Sequence, residues 1–165
     1  MAQSDEMTFW DHLEDLRKCF FRMLAIYAVA VIALFFFKAF LFDSVILAPS
    51  KPDFYLYELL GADFSMKLVN IEVAAQFLIH MKITLISALI LTFPLLVFQL
   101  WRFVAPALYK NEKKAVRRAF AFASILFYLG VAVGYAIVFP LMLNFFSGYQ
   151  LSPDIPNTFS LSSYI

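Results

Sequence analysis

The sequence is poor in groups that do covalent chemistry. Cys19 is the single cysteine in 165 residues, so neither an intramolecular disulfide nor a cysteine-rich metal site can form. Four glycines, at 61, 130, 134 and 148, leave no phosphate-cradling loop, and no Gly-x-Ser-x-Gly elbow occurs. Charge is scarce as well. Charged residues make up 15% of the chain and nearly cancel to a formal +1, which leaves no electrostatic footprint for nucleic acid. What is abundant is apolar surface: 63% of residues are hydrophobic and the mean hydropathy is +0.80. Soluble domains are about 45–50% apolar and about 25% charged. A soluble chain of this length cannot hide such an excess, so lipid must take the place of water over much of the surface.

A membrane helix needs about 20 largely apolar residues. Three segments qualify, at 23–42, 83–101 and 119–146. The first carries one charge, Lys38, near its far end, and the other two carry none. The third is long enough to tilt or to project past the lipid. None is a cleavable signal peptide, because the N-terminal region (Asp5, Glu6, Asp11) is acidic and the first apolar run is too long. The sequence thus predicts an all-α fold, a polytopic helical membrane protein forming one membrane domain over 1–165.

Orientation follows from the basic residues of the short connections. Arg17, Lys18 and Arg22 precede the first span, and Arg102, Lys110, Lys113, Lys114, Arg117 and Arg118 fill the 102–118 loop. The longer 43–82 connection holds only Lys51, Lys67 and Lys82, and the tail after Phe146 has no basic residue. The N-terminus and the 102–118 loop are therefore expected in the cytoplasm, with 43–82 and 147–165 outside. His12 and His80 then fall on opposite sides of the membrane and cannot share a metal. The last stretch, with Pro153 and Pro156, reads as a loop leading onward, so a piece of a longer chain is expected.

Residues 8–22 read as an amphipathic helix entering the first span. Phe9, Leu13, Leu16, Phe20 and Leu24 recur at steps of three and four, with Asp11, Glu14, Asp15 and Lys18 on the other side. Thr8 is the expected N-cap, and Trp10 suits the headgroup level. In the 43–82 connection, 54–60 and 73–78 look like short helices, and Pro49 and Pro52 break the chain as it leaves the first span. Pro94 and Pro140 lie inside the second and third spans and are expected to kink them. Gly130 and Gly134 form a small-xxx-small pair that lets another helix approach closely, more simply within the chain than between copies. Lys38 and Lys82 are expected to snorkel to the outer interface.

Two cytoplasmic acids carry the most information. Asp15 lies beneath the first span, and Glu112 sits in the basic loop beneath the other two. The plainer reading is local pairing, with Glu14 and Asp15 taking Lys18 or Arg22 and Glu112 taking Lys113 or Arg117. The functional reading is a pair of carboxylates facing one cavity and holding guanidinium groups in bidentate fashion.

At His12-Leu13-Glu14-Asp15-Leu16-Arg17 the chain resembles TatC, the receptor subunit of the twin-arginine protein translocase, whose members open with a His-Leu-x-Glu-Leu-Arg pattern. A longer match follows: Gln99-Leu-Trp-Arg-Phe103-Val-Ala-Pro106-Ala-Leu108-Tyr-Lys-Asn-Glu112 is similar to the family's Trp-x-Phe-x-x-Pro-x-Leu-x-x-x-Glu stretch. Pro49 after the first span, Lys82 opening the second and Phe139-Pro140 in the third also fit. The resemblance implies a six-span, concave fold. It implies a job as well: binding signal peptides with consecutive arginines and, with TatA- and TatB-type subunits, exporting folded proteins across the cytoplasmic (inner) membrane on the proton gradient. It places signal-peptide binding on Asp15 and Glu112, with Phe103 lining the same region, and it implies an oligomer at full length.

The sequence departs from the family pattern in three places. Asp15 stands where the family has Glu. Ala75 and Gln76 occupy a region where the family commonly has an acid. The chain also stops before the family's fourth span. The rival class is a fragment of a transporter or channel, which calls for an intramembrane charge near mid-span that these spans lack. An intramembrane enzyme would need a nucleophile–base pair that the sequence does not offer. No cofactor and no metal are expected, and the chain reads as a non-enzyme.

Overall fold

The computed structural model describes residues 9–60, 68–149 and 159–165. Thr8, Pro153 and Pro156 lie outside them. In chain order the helices are α1 (Phe9–Phe36), α2 (Tyr55–Leu60), α3 (Ala75–Val104), α4 (Lys110–Val133), α5 (Phe139–Gly148) and α6 (Leu161–Tyr164). A π-helical stretch over Phe40–Ile46 follows α1, and a π turn over Gly134–Val138 joins α4 to α5. Among the described residues three stretches are long and apolar enough to cross a membrane: His12–Phe36, Ala75–Ala107 and Asn111–Gly148, of 25, 33 and 38 residues. At about 1.5 Å per residue against a core of about 30 Å, the third has nearly twice the necessary length.

From Phe9 the amphipathic segment and the first span run on as one unbroken helix as far as Phe36, since no glycine or proline separates them; the rest of the expected 23–42 span breaks at Phe37 and turns π-helical from Phe40. The short helix expected at 73–78 is not separate either. From Ala75 onward it is the first turns of α3, because nothing between Leu78 and Ile83 breaks a helix. Its apolar face packs on the cap: Ala75, Ile79 and Ile83 are buried with Leu41, against Phe42, Ile46, Leu161 and Ile165.

The spans pack as antiparallel neighbours. Between α1 and α3, the Cys19 thiol donates to the Gln99 carbonyl (3.5 Å), the Tyr27 hydroxyl donates to the Leu85 carbonyl (3.0 Å), and Phe35 stacks on His80 with centroids 4.4 Å apart. Between α3 and α4, Phe93 stacks on Phe127 at 3.8 Å and Trp101 meets Phe120 at 6.1 Å. The apolar stripe of α1 faces outward, with Phe20 58% and Leu24 50% exposed, while Cys19 on the more polar face is buried. This is the sense of amphipathicity a bilayer selects, since lipid solvates Leu and Phe as well as protein does.

One end of the bundle carries a compact cap built from residues 40–57, 68–69 and 159–165. Leu68–Val69 (β1) pairs in parallel with Phe159–Ser160 (β2), a two-residue ladder within an otherwise helical fold. Tyr57, Leu143 and Tyr164 form the cap's buried cluster. Pro49 opens a 3-10 turn, Ala48–Ser50, and its carbonyl accepts from the Tyr57 hydroxyl at 2.8 Å. Burial pushes the Tyr57 hydroxyl up to about 12 and also raises that of Tyr164.

Tyrosine hydroxyls serve several of the places where the helical ladder is broken. Pro140 has no N–H to offer the Ala136 carbonyl four residues back, and the Tyr55 hydroxyl donates there at 2.6 Å. Pro94 likewise leaves the Ile90 carbonyl, which accepts from the Tyr128 hydroxyl at 3.0 Å. At the end of the Phe40–Ile46 stretch, Tyr135 donates to Val45 and Tyr164 to Ile46, the latter at 2.8 Å. Hydrocarbon offers no hydrogen bond to an unpaired carbonyl, so each hydroxyl supplies what water would supply elsewhere. With its carbonyl filled, α3 runs through Pro94 without a break, whereas at Pro140 the irregularity takes the form of the π turn just before it.

Candidate functional site

At the end of the bundle opposite the cap, α1 and the last turns of α3 enclose a cleft of about 150 Å³. From α1 it is lined by His12, Asp15, Lys18, Cys19 and Arg22, and from α3 and the turn after it by Gln99, Arg102, Phe103 and Pro106. His12, Asp15, Cys19 and Arg22 follow one another at steps of three, four and three, so a single helix face presents them all. The His12 ring stacks on Phe103 with centroids 4.7 Å apart and planes 26° from parallel, which fixes the aromatic wall. Pro106 sits in the 3-10 turn Ala105–Ala107 that closes α3 and turns the chain toward α4.

The structure brings Asp15 and Phe103 to one cleft. Glu14, not Asp15, takes the neighbouring cation: its carboxylate lies 3.0 Å from Lys18 Nζ, one turn along an exposed face. Among the described residues Asp15 has no ion pair, so its carboxylate is open to a ligand. Three basic side chains share the lining with it, so the cleft holds a cation surplus.

Glu112 is exposed and is not among the residues lining the cleft. It stands in the first turn of α4, where its Oε2 accepts from the Tyr109 N–H at 3.4 Å. A carboxylate there also complements the positive end of the helix dipole. Among the described residues it forms no ion pair with Lys113 or Arg117. Gly130 and Gly134 face open space, since a Cβ built on either would meet nothing within 4 Å. No helix of this chain packs closely there among the described residues.

Two wall residues were not legible as site residues from their types alone. His12 and Cys19 both read as ordinary members of an amphipathic helix. The available signal was the three-four-three spacing through Asp15 to Arg22, which is a stripe of its own beside the apolar one.

Long lipid-facing helices, a membrane-end cap and a polar cleft between two span ends define a polytopic helical membrane protein. The family model described as "Sec-independent protein translocase protein (TatC)" matches residues 11–165, and the chain belongs to that family. It is 33% identical to the Sec-independent protein translocase protein TatC of Blattabacterium sp. subsp. Periplaneta americana, over 99% of this chain and 67% of the relative. It is also 33% identical to the TatC of Escherichia coli strain K12, over 97% of this chain and 60% of the relative. A solved structure, "Crystal Structure of Twin Arginine Translocase Receptor- TatC", superposes with a TM-score of 0.70 at 27% identity, covering 93% of this chain and 63% of that one. The chain thus spans about three fifths to two thirds of the length of these relatives. Family membership sets aside the rival reading as an unrelated transporter or channel.

Proposed function

We propose that this chain carries the signal-peptide-recognising part of a twin-arginine translocase receptor. In this reading it sits in the cytoplasmic membrane of a bacterium. With TatA- and TatB-type subunits it exports folded proteins on the proton gradient. The cleft end and the N-terminus face the cytoplasm, in keeping with the basic residues of 102–118, and the cap faces outward.

One observation carries the reading: Asp15 lines the cleft beside Phe103 with no ion pair among the described residues, while its neighbour Glu14 takes Lys18. A carboxylate held on a helix face accepts a guanidinium through two parallel N–H···O bonds, a geometry that ammonium cannot match. Phe103, steadied by His12, offers a flat surface to the peptide's apolar part or to the guanidinium plane. Glu112 supplies the second acceptor from the start of α4. A peptide bridging the two acids would run from the α1–α3 cleft to the start of α4.

The test is twin-arginine peptide binding to the full-length protein in membranes. Asp15→Ala and Glu112→Ala should each weaken binding about tenfold or more, since a charge-assisted hydrogen bond contributes roughly 1.5–3 kcal/mol. Asp15→Glu should bind normally, and a twin-lysine peptide should bind worse than twin-arginine. Undiminished affinity in both alanine variants, with the protein still folded, returns the acids to a structural role.

A further inference from the structure

A second and larger cleft, of about 620 Å³, opens at the cap end between the end of α1, the Phe40–Ile46 stretch and the start of α3. That volume lies within the roughly 300–1,000 Å³ of small-molecule sites. Its wall is amphipathic in an ordered way. Lys38 and Asp43 bring one charge of each sign, and Phe42, Val73, Phe77, Ile79 and Leu161 bring apolar surface. His80 completes it, stacked on Phe35 and edge-on to Phe42.

Two charged groups of this wall lack an ion-pair partner among the described residues. Lys38 and Asp43 share the cleft without forming an ion pair with each other, and among the described residues neither pairs elsewhere through its charged group. The one contact at Asp43 is at its backbone carbonyl, which accepts from Lys51 Nζ at 2.9 Å. The apolar part of the wall points the same way. Val73 is wholly exposed and Phe77 61% exposed along this wall.

We propose that this cleft seats the headgroup of an ethanolamine phospholipid from the leaflet at the cap end. The phosphate is held by Lys38 and the primary ammonium by the Asp43 carboxylate. An acyl chain runs down past Phe77 and Val73. Charge decides among lipid classes. A zwitterion with a phosphate and an N–H-bearing ammonium satisfies Lys38 and Asp43 together. An anionic glycerol headgroup satisfies Lys38 and leaves Asp43 facing a like charge. A choline headgroup carries no N–H and gives Asp43 no hydrogen bond. Long basic side chains at span ends reach phosphates readily, and Lys38 stands at such an end.

The test is lipid retention by the intact full-length protein. The protein is reconstituted into bilayers of equal parts phosphatidylethanolamine, phosphatidylcholine and phosphatidylglycerol, then extracted, and its bound lipid is counted by native mass spectrometry. The wild type should retain phosphatidylethanolamine over phosphatidylcholine by about fivefold or more. Asp43→Asn should abolish that preference while leaving total retention nearly unchanged, and Asp43→Glu should keep the preference. Lys38→Gln should lower retention of all three lipids. Equal retention of ethanolamine and choline lipids by the wild type, an undiminished preference in Asp43→Asn, or no retained lipid overturns the proposal. No signal peptide enters the measurement, so it stands or falls apart from the receptor reading.

Discussion

Asp15 works against its surroundings. The cleft it lines also holds Lys18, Arg22 and Arg102, and only Lys18 is neutralised, by Glu14. A cationic peptide entering there meets attraction from one carboxylate and repulsion from two guanidinium groups. Selectivity for arginine must then come from planar, bidentate geometry, because net charge alone would repel any basic peptide. This gives a prediction of unusual sign. Arg102→Gln removes a like charge and should tighten twin-arginine peptide binding, by about two- to fivefold, since exposed charge pairs are worth roughly 0.2–1 kcal/mol. The gain should shrink as salt rises and screens the repulsion, which titration at two ionic strengths would show. Weaker binding in Arg102→Gln would instead make Arg102 a holder of the peptide. Asp15 and Phe103 could be named from residue type and motif. His12 could not, because stacking on Phe103 depends on how α1 and α3 cross, and no local pattern encodes that crossing.

Long apolar runs are strong signals at the scale of the element, and the three long helices follow from them directly. The irregular stretches between and within them do not. Pro94 and Pro140 mark where a ladder must break, but the repair comes from tyrosines far away in sequence, with Tyr128 on α4 serving the Ile90 carbonyl and Tyr55 on α2 serving that of Ala136. The β1–β2 ladder is equally nonlocal, joining Leu68 to Phe159. If the Tyr55 hydroxyl stands in for the N–H that Pro140 lacks, the two substitutions must be coupled. Tyr55→Phe alone should destabilise the protein by about 0.6–1.7 kcal/mol, the range of interhelical hydrogen bonds in membranes. In a Pro140→Ala background the alanine N–H can fill the same carbonyl, so Tyr55→Phe should cost little there. A double-mutant cycle on the protein in mild detergent, followed by denaturant unfolding, reads the coupling directly. Strict additivity would mean that the Tyr55 contact and the missing N–H are energetically unrelated.

Over the whole molecule the structure divides into two ends with different chemistry, joined by spans that are themselves almost free of charge. One end gathers basic residues around the Asp15 cleft, and the other is a tyrosine-rich cap whose few charges sit at its edge. The placement of Lys and Arg made this polarity visible, although the cap's packing could not be read the same way, being held by contacts between residues more than 80 apart, such as the Tyr55 hydroxyl and the Ala136 backbone carbonyl. The orientation it implies can be measured without disturbing either end. Cys19 is buried, with its thiol turned to the Gln99 carbonyl, so the native thiol should stay silent to a bulky reagent. Ser162 in α6 and Asn111 at the start of α4 are both exposed and lie at opposite ends of the bundle. A membrane-impermeant maleimide applied from the outer face should label Ser162→Cys in intact cells and should label Asn111→Cys only after the membrane is opened. Labelling of Asn111→Cys from outside, with Ser162→Cys protected, would invert the molecule. The Asp15 cleft would then face away from the compartment where signal peptides are made, and the receptor reading would fail with it.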